Sequence, residues 1–212
     1  MKPGYYLIWK SARIFFRIYF RWRIIGLENV PLTGRAILAS NHVSFLDPPL
    51  IGAAVPREIN YLARESLFRF PVAGSLLRHL NAVPVDREGG GAAGLRVILD
   101  RLLAGGAIIL FPEGTRSPDG QLQPFRSGIG LTIIKSEAPV IPIRVFGAFE
   151  AMSRHHLLPR PHRISIRFGE PLRFERLRAE AQSCSKSRLK EVYREATEQL
   201  REAIASIPPP GQ

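Results

Sequence analysis

The sequence predicts an α/β fold: a single central mixed sheet flanked by helices, preceded by a basic amphipathic helix. Three observations carry this. From Gly26 onward, short apolar runs alternate with segments of helical apolar spacing, the pattern of strands and helices packed in layers. The chain has 212 residues, 45% of them hydrophobic, too apolar for a disordered tail and long enough for one sizeable core. It contains one cysteine, Cys184. That excludes an internal disulfide and any Cys-rich zinc module, fits a reducing compartment, and leaves burial to stabilise the fold.

The charge balance calls for an anionic partner. Thirty Lys and Arg face eighteen Asp and Glu, a net charge of +12. Arginine far outnumbers lysine, which favours bidentate binding of phosphate or carboxylate. Nucleic acid, an anionic membrane surface and a phosphorylated small molecule each supply such charge. No nucleic-acid module is recognisable, so a nucleic-acid partner is not expected.

Residues 1–25 are expected to form a membrane-associating leader, with residues 26–212 as the second unit. Lys10, Arg13, Arg17 and Arg21 recur at steps of three and four, on one helical face. Ile14, Phe15, Ile18, Tyr19 and Trp22 fill much of the remaining circumference. The arginines break any apolar run approaching the ~20 residues of a membrane span, and they break a signal-peptide core as well. A helix lying in the lipid interface fits best. The alternative is a helix packed on the protein's own core or on a second copy.

Strands are expected at Ala36–Ser40, Asn60–Ala63, Ala82–Val85, Ala107–Phe111, Val140–Phe146 and Arg163–Phe168. Pro142 suggests that the fifth is an edge strand or carries a bulge. The sixth alternates Ile164, Ile166 and Phe168 with polar residues, as a half-exposed strand does. Helices are expected at Leu50–Val55, Pro71–Leu80, Leu95–Leu103 (closed by Gly105-Gly106) and Gly128–Lys135. Leu189, Val192, Ala196, Leu200 and Ile204 mark an amphipathic C-terminal helix. In such architectures the loops at strand ends carry the site.

Two loops carry chemistry-bearing residues. In Asn41-His42-Val43-Ser44-Phe45-Leu46-Asp47, His42 follows a strand, and Asp47 before two prolines reads as a helix N-cap. If the loop folds back, Asp47 orients one ring nitrogen of His42 and the other accepts a proton. In Phe111-Pro112-Glu113-Gly114-Thr115-Arg116-Ser117, Gly114 permits close approach to a ligand, Thr115 supplies a hydroxyl and Arg116 offers a fork for phosphate. Glu113 either holds Arg116 or binds a hydroxyl. An exposed polar turn is the competing reading. Arg87 after Val83-Pro84-Val85, and Arg126 just before a glycine-bearing helix, are further anion-binding candidates.

Taken in order, these segments resemble the glycerolipid acyltransferase family, the lysophosphatidic acid acyltransferases in particular. Asn41, His42, Ser44 and Asp47 match its Asn-His-x-Ser-x-x-Asp block. Val83 to Arg87 match its strand ending in arginine, Phe111 to Ser117 its Phe-Pro-Glu-Gly-Thr-Arg-Ser block, and Val140 to Ile143 its proline-containing strand. Four ordered blocks over about Gly26–Gly147 are a specific signal. Asn81 stands where the family often has glycine, and Arg126 where it often has lysine.

The resemblance implies His42 as general base, Asp47 as its orienting partner, and Arg87, Glu113, Gly114, Thr115, Arg116 and Arg126 as the residues that hold substrate. It implies a direct transfer of an acyl chain from acyl-CoA or acyl carrier protein to the free hydroxyl of lysophosphatidate. No metal or cofactor is implied, only the thioester co-substrate. It also implies a phospholipid bilayer as partner, with peripheral or monotopic attachment at the cytoplasmic face of the cell membrane. The same fold acting on another lysophospholipid or lyso-aminolipid, or a non-catalytic lipid-binding protein, are the alternatives.

Overall fold

The computed structural model describes residues 1–85, 91–156 and 158–211, with the backbone alone for 91–93. Helix α1 (Pro3–Tyr19) leads into strand β1 (Arg23–Ile25), and β2 (Ala36–Ser40) precedes α2 (Asp47–Ala54). Next come β3 (Ile59–Arg64), a short 3-10 turn (Glu65–Arg69), α3 (Pro71–His79) and β4 (Ala82–Val85). They are followed by α4 (Gly91–Leu103), β5 (Ala107–Leu110), α5 (Gly128–Ser136), β6 (Val140–Phe146) and α6 (Ala148–Met152). The chain continues through β7 (Ser165–Phe168), α7 (Glu175–Ser183) and α8 (Lys186–Ser206).

The strands form one sheet in the order β1-β7-β6-β2-β5-β3-β4. All neighbours are parallel except β6 and β7, so the sheet is mixed, as expected. Strand periodicity divides the core into two layers. Leu38 of β2, Ile109 of β5 and Ile141 of β6 face one layer with α1 and α2. Ile37, Ile108 and Val140 face the other with α4, α5 and α8. Alternate side chains point to opposite faces, and covering both faces explains the near-continuous apolar runs of β2 and β5. Helix α8 buries Val192, Ala196, Leu200 and Ile204, the stripe read from the sequence.

Pro142 lies within an interior strand, not at an edge. It pairs with Ala39 of β2 on one side. Its carbonyl accepts from Gly169 N–H at 2.8 Å on the other, just beyond the end of β7. The ring nitrogen faces that same side, where the register passes from Ile143–Phe168 to Val140–Leu172 and the partner segment carries one extra residue, the bulge that the proline suggested.

Residues 1–25 share the core and the sheet with the rest of the chain. Helix α1 stops at Tyr19, Phe16 and Phe20 are buried in the core, and β1 pairs with β7. Arg13 does not join a solvated basic stripe. Its guanidinium donates to Ala53 and Ala54 carbonyls at 3.1 and 2.9 Å, and Trp9 donates to Val55 O at 2.9 Å. These are carbonyls that the end of α2 cannot satisfy internally. The outer face of α1 remains apolar and exposed at Leu7, Ile14, Phe15 and Ile18. Among the described residues, no helix is long and apolar enough to cross a membrane.

Candidate active site

Strands β2, β5, β3 and β4 run parallel, so the loops that follow them emerge along one edge of the sheet. His42 leaves β2 there, and Phe111 leaves β5. The imidazole lies on the Phe111 ring, with centroids 4.0 Å apart and planes inclined by 22°.

His42 Nδ1 is 2.8 Å from Asp47 Oδ2. Residues 42–46 are not helical, which allows the loop to fold back as the pairing requires. Asp47 is the first residue of α2, and Leu46 occupies the N-cap. The Asp47 carboxylate does not cap α2. It faces the preceding loop, accepting Val43 N–H and Ser44 N–H at 2.7 Å each on the same oxygen. Pro48 and Pro49 occupy the first turn of α2, where their missing N–H groups cost nothing. Asp47 is fully buried. Burial pushes its carboxyl above the usual range, opposed by the hydrogen bonds from His42, Ser44 and Val43.

Glu113 was expected on substrate, but it turns inward. It is 4% exposed. One oxygen accepts His42 N–H at 2.6 Å and the other Gln123 N–H at 2.9 Å. The carboxylate therefore clamps the backbone of the histidine loop to the 111–123 loop. Ser117 N–H adds a second tie to His42 O at 2.7 Å. Burial raises the Glu113 carboxyl to about 7, against the pull of the two amides. A carboxyl raised on folding stabilises the protein below its unfolded value and loses that contribution as pH rises through the folded one. Wild-type Tm is therefore expected to fall between about pH 4.5 and 7 more steeply than that of Glu113→Gln, which lacks this titration. Differential scanning fluorimetry across that range measures the two slopes, and parallel curves would contradict the assignment. The glutamine also turns an acceptor into a donor against one amide, so a lower Tm at acidic pH is expected.

Gly114 has φ +72°. A Cβ there would lie 2.1 Å from Arg126 Nε, so only glycine lets the Arg126 side chain lie across this turn. The Arg116 guanidinium lies 3.3 Å from the centroid of the Phe45 ring, a cation–π contact that ties the two motif loops together. Thr115 is exposed. Arg87 lies outside the described residues. His42, Gly114 and Arg126 line a cavity of about 630 Å³. Arg64, at the end of β3, lines it as well; its position was not singled out from sequence because nothing local marks it. The walls include Leu62, Leu95, Ile98, Ile109 and Ile129. The cavity thus combines an imidazole and two guanidinium groups with an apolar lining.

Asn41 also has a role that its motif position did not reveal. Its amide exchanges two hydrogen bonds with Val145, donating to O at 3.1 Å and accepting from N–H at 2.8 Å. It thereby extends the β2–β6 pairing by one residue and fixes where His42 leaves the sheet. Ser44 Oγ donates to Met152 O at 2.6 Å. Asn81 has φ +57°, a conformation that asparagine tolerates better than other non-glycine residues, which accounts for its standing where the family often has glycine.

The acyltransferase family model matches residues 21–146. The chain belongs to the acyltransferase family. Among similar proteins is a 1-acyl-sn-glycerol-3-phosphate acyltransferase of Bacillus subtilis, 28% identical over 71% of this chain and 73% of that one. A chloroplastic 1-acyl-sn-glycerol-3-phosphate acyltransferase of Brassica napus, BAT2, is 30% identical over 68% of this chain, which spans 42% of the plant protein's length. A crystal structure of the 1-acyl-sn-glycerophosphate acyltransferase PlsC from Thermotoga maritima is similar with a TM-score of 0.72 and 25% identity, covering 99% of this chain and 86% of that one. In this acyltransferase the matched segment contains the His42–Asp47 pair, the Glu113 clamp and strands β1 to β6.

Proposed function

We propose that this acyltransferase moves an acyl chain from acyl-CoA or acyl carrier protein to the free glycerol hydroxyl of lysophosphatidate, giving phosphatidate for phospholipid synthesis. The observation that carries the reading is the His42–Asp47 pair at 2.8 Å, set on a cavity that is apolar along its walls and cationic at Arg64 and Arg126. An alkyl chain suits the walls, and a phosphate suits the guanidinium groups. The names of the similar bacterial and plant enzymes point to the same substrate.

In this mechanism His42 Nδ1–H donates to Asp47, leaving Nε2 to take the proton of the acceptor hydroxyl. The hydroxyl oxygen attacks the thioester carbonyl carbon. The tetrahedral intermediate collapses as the C–S bond breaks, the new ester remains, and His42 returns the proton to the departing thiolate. Arg64 and Arg126, which line the cavity, hold the phosphate, joined by Arg87 and Arg116 as the further cations that the resemblance implies, with Gly114 and Thr115 shaping the turn beneath it. Glu113 positions the loop of His42 and does not touch substrate. The apolar outer face of α1, which carries no acidic residue, rests on the cytoplasmic face of the cell membrane, where the lipid substrate resides.

Product analysis by mass spectrometry tests the reading. Purified protein is given lysophosphatidate or other lysophospholipids, each with acyl-CoA and with acyl carrier protein donors. Phosphatidate is the expected product. Acylation of a different lysophospholipid only would replace the acceptor, and no acyl transfer from either donor would overturn the assignment.

A further inference from the structure

The segment between β3 and β4 is unusual for a surface element of a water-soluble domain. Helix α3 has nine residues and buries only Gly74. That glycine packs tightly on the preceding 3-10 turn, since a Cβ there would lie 2.5 Å from Phe68 O. The apolar side chains point outward: Phe70 is 65% exposed, Val72 84%, Leu76 46% and Leu67 44%. Clustered exposure of this kind marks an interaction surface. Helix α3 itself has no acidic residue, and Arg64, Arg69, Arg78 and a single acid, Glu65, flank the patch.

Two further observations place this patch. Glu58 accepts the backbone N–H of Lys2 and, on its other oxygen, the Asn81 side chain at 3.0 Å. The start of α1 is thereby tied to the turn that ends α3. The active-site cavity is also lined by Arg64 and Val85, the last residues of β3 and β4. These are the residues where the chain enters the 3-10 turn and where it has returned from α3. The patch thus lies near the N-terminal end of α1 and next to the rim of the cavity.

We infer that the 3-10 turn and α3 form a second bilayer-contact element, inserting Leu67, Phe70, Val72 and Leu76 among the lipids so that the cavity rim at Arg64 meets the headgroup layer. The inference rests on the proposed function, and adds to it where the lipid acceptor enters. The occupant is an anionic lipid surface. A second copy would bring Arg64, Arg69 and Arg78 against their own counterparts, whereas apolar residues rimmed by cations complement acyl chains beneath anionic headgroups.

The test is sedimentation with vesicles of equimolar phosphatidylcholine and phosphatidylglycerol. It compares the full chain, the triple variant Phe70→Ser/Val72→Ser/Leu76→Ser and the α1 variant Leu7→Ser/Ile18→Ser. The triple variant is expected to lose about tenfold or more in partitioning and in acylation of vesicle-embedded lysophosphatidate. Turnover of a short-chain, monomerically dissolved lysophosphatidate should stay unchanged. A variant that does not depend on removing apolar area, Val72→Trp, is expected to bind vesicles more tightly, with blue-shifted emission relative to wild type.

Unchanged partitioning of the triple variant, with loss confined to the α1 variant, overturns the inference but leaves the proposed function standing. Unchanged partitioning together with an altered molar mass by light scattering assigns the patch to a second copy and overturns it likewise. A wild-type chain that does not sediment with vesicles overturns the inference together with the membrane part of the proposed function, while product formation from dissolved substrate would still support the reaction.

Discussion

Replacing His42 by alanine is expected to lower kcat about 10²–10⁴-fold while the fold persists. The substitution removes the proton acceptor and its bond to Asp47 but none of the loop's main-chain anchors. His42 N–H still reaches Glu113 and its carbonyl still accepts Ser117 N–H, because both are main-chain groups. The lost packing is the stack on Phe111 at the cavity edge, where the imidazole side chain is already 14% exposed. A thiol-release assay with acyl thioester and lysophosphatidate reads the rate, and the melting curve reads the fold. Retained turnover in a folded variant would remove His42 from the mechanism.

The second large effect is expected from Asp47→Asn, a drop in kcat of similar size, about 10²–10⁴-fold. An asparagine oxygen in place of Oδ2 can still accept Val43 N–H, Ser44 N–H and the histidine Nδ1–H, so the loop keeps its shape. What is lost is the negative charge that stabilises the imidazolium formed when His42 holds the proton. Stability is expected to change in its pH dependence. Burial disfavours the ionised carboxylate, so stability from this site is lost as pH rises through the raised carboxyl value, and the neutral amide escapes that loss. The expected outcome is therefore a slow enzyme whose Tm falls less steeply with rising pH than that of wild type. Asp47→Ala should differ by removing the acceptor of two backbone amides and lowering Tm. Full activity in the asparagine variant would leave the aspartate a purely structural role.

These two residues were legible because their signal is local. They lie five positions apart, a strand precedes them and two prolines follow, so one stretch of chain contains the whole arrangement. The principal apolar strands were legible for the same reason, since burial imposes a short apolar run or a period of two on the segment itself. Strand β1 and helices α6 and α7 were not anticipated. The first two have three and five residues, too few to show a period, and the nine residues of α7 bury only Leu177. Pro142 left an edge strand or a bulge open, and the structure shows an interior strand with a bulge on its β7 side, a choice that depends on which neighbour the proline nitrogen faces and that sequence does not reveal.

The leader and Glu113 show where sequence reasoning stopped. The periodicity of residues 5–22 distinguishes an apolar face from a basic one, yet Arg13 spends its donors on carbonyls forty residues away. Glu113 lies three positions before Arg116, which suggested that it holds Arg116 or binds a hydroxyl, and the resemblance placed it on substrate. Its partners are two backbone amides, one of them 71 residues distant. Chain order and side-chain chemistry alone determined the α/β class and the motif loops, because each depends on neighbours within a few residues, and they made the histidine–aspartate pairing conditional on the loop folding back. The tertiary structure alone decided that α1 is built into the core, that Glu113 braces the loop of His42, and that α3 presents its apolar side chains outward. Burial and hydrogen-bond partnership across the sheet are properties of segments brought together, which no single segment carries.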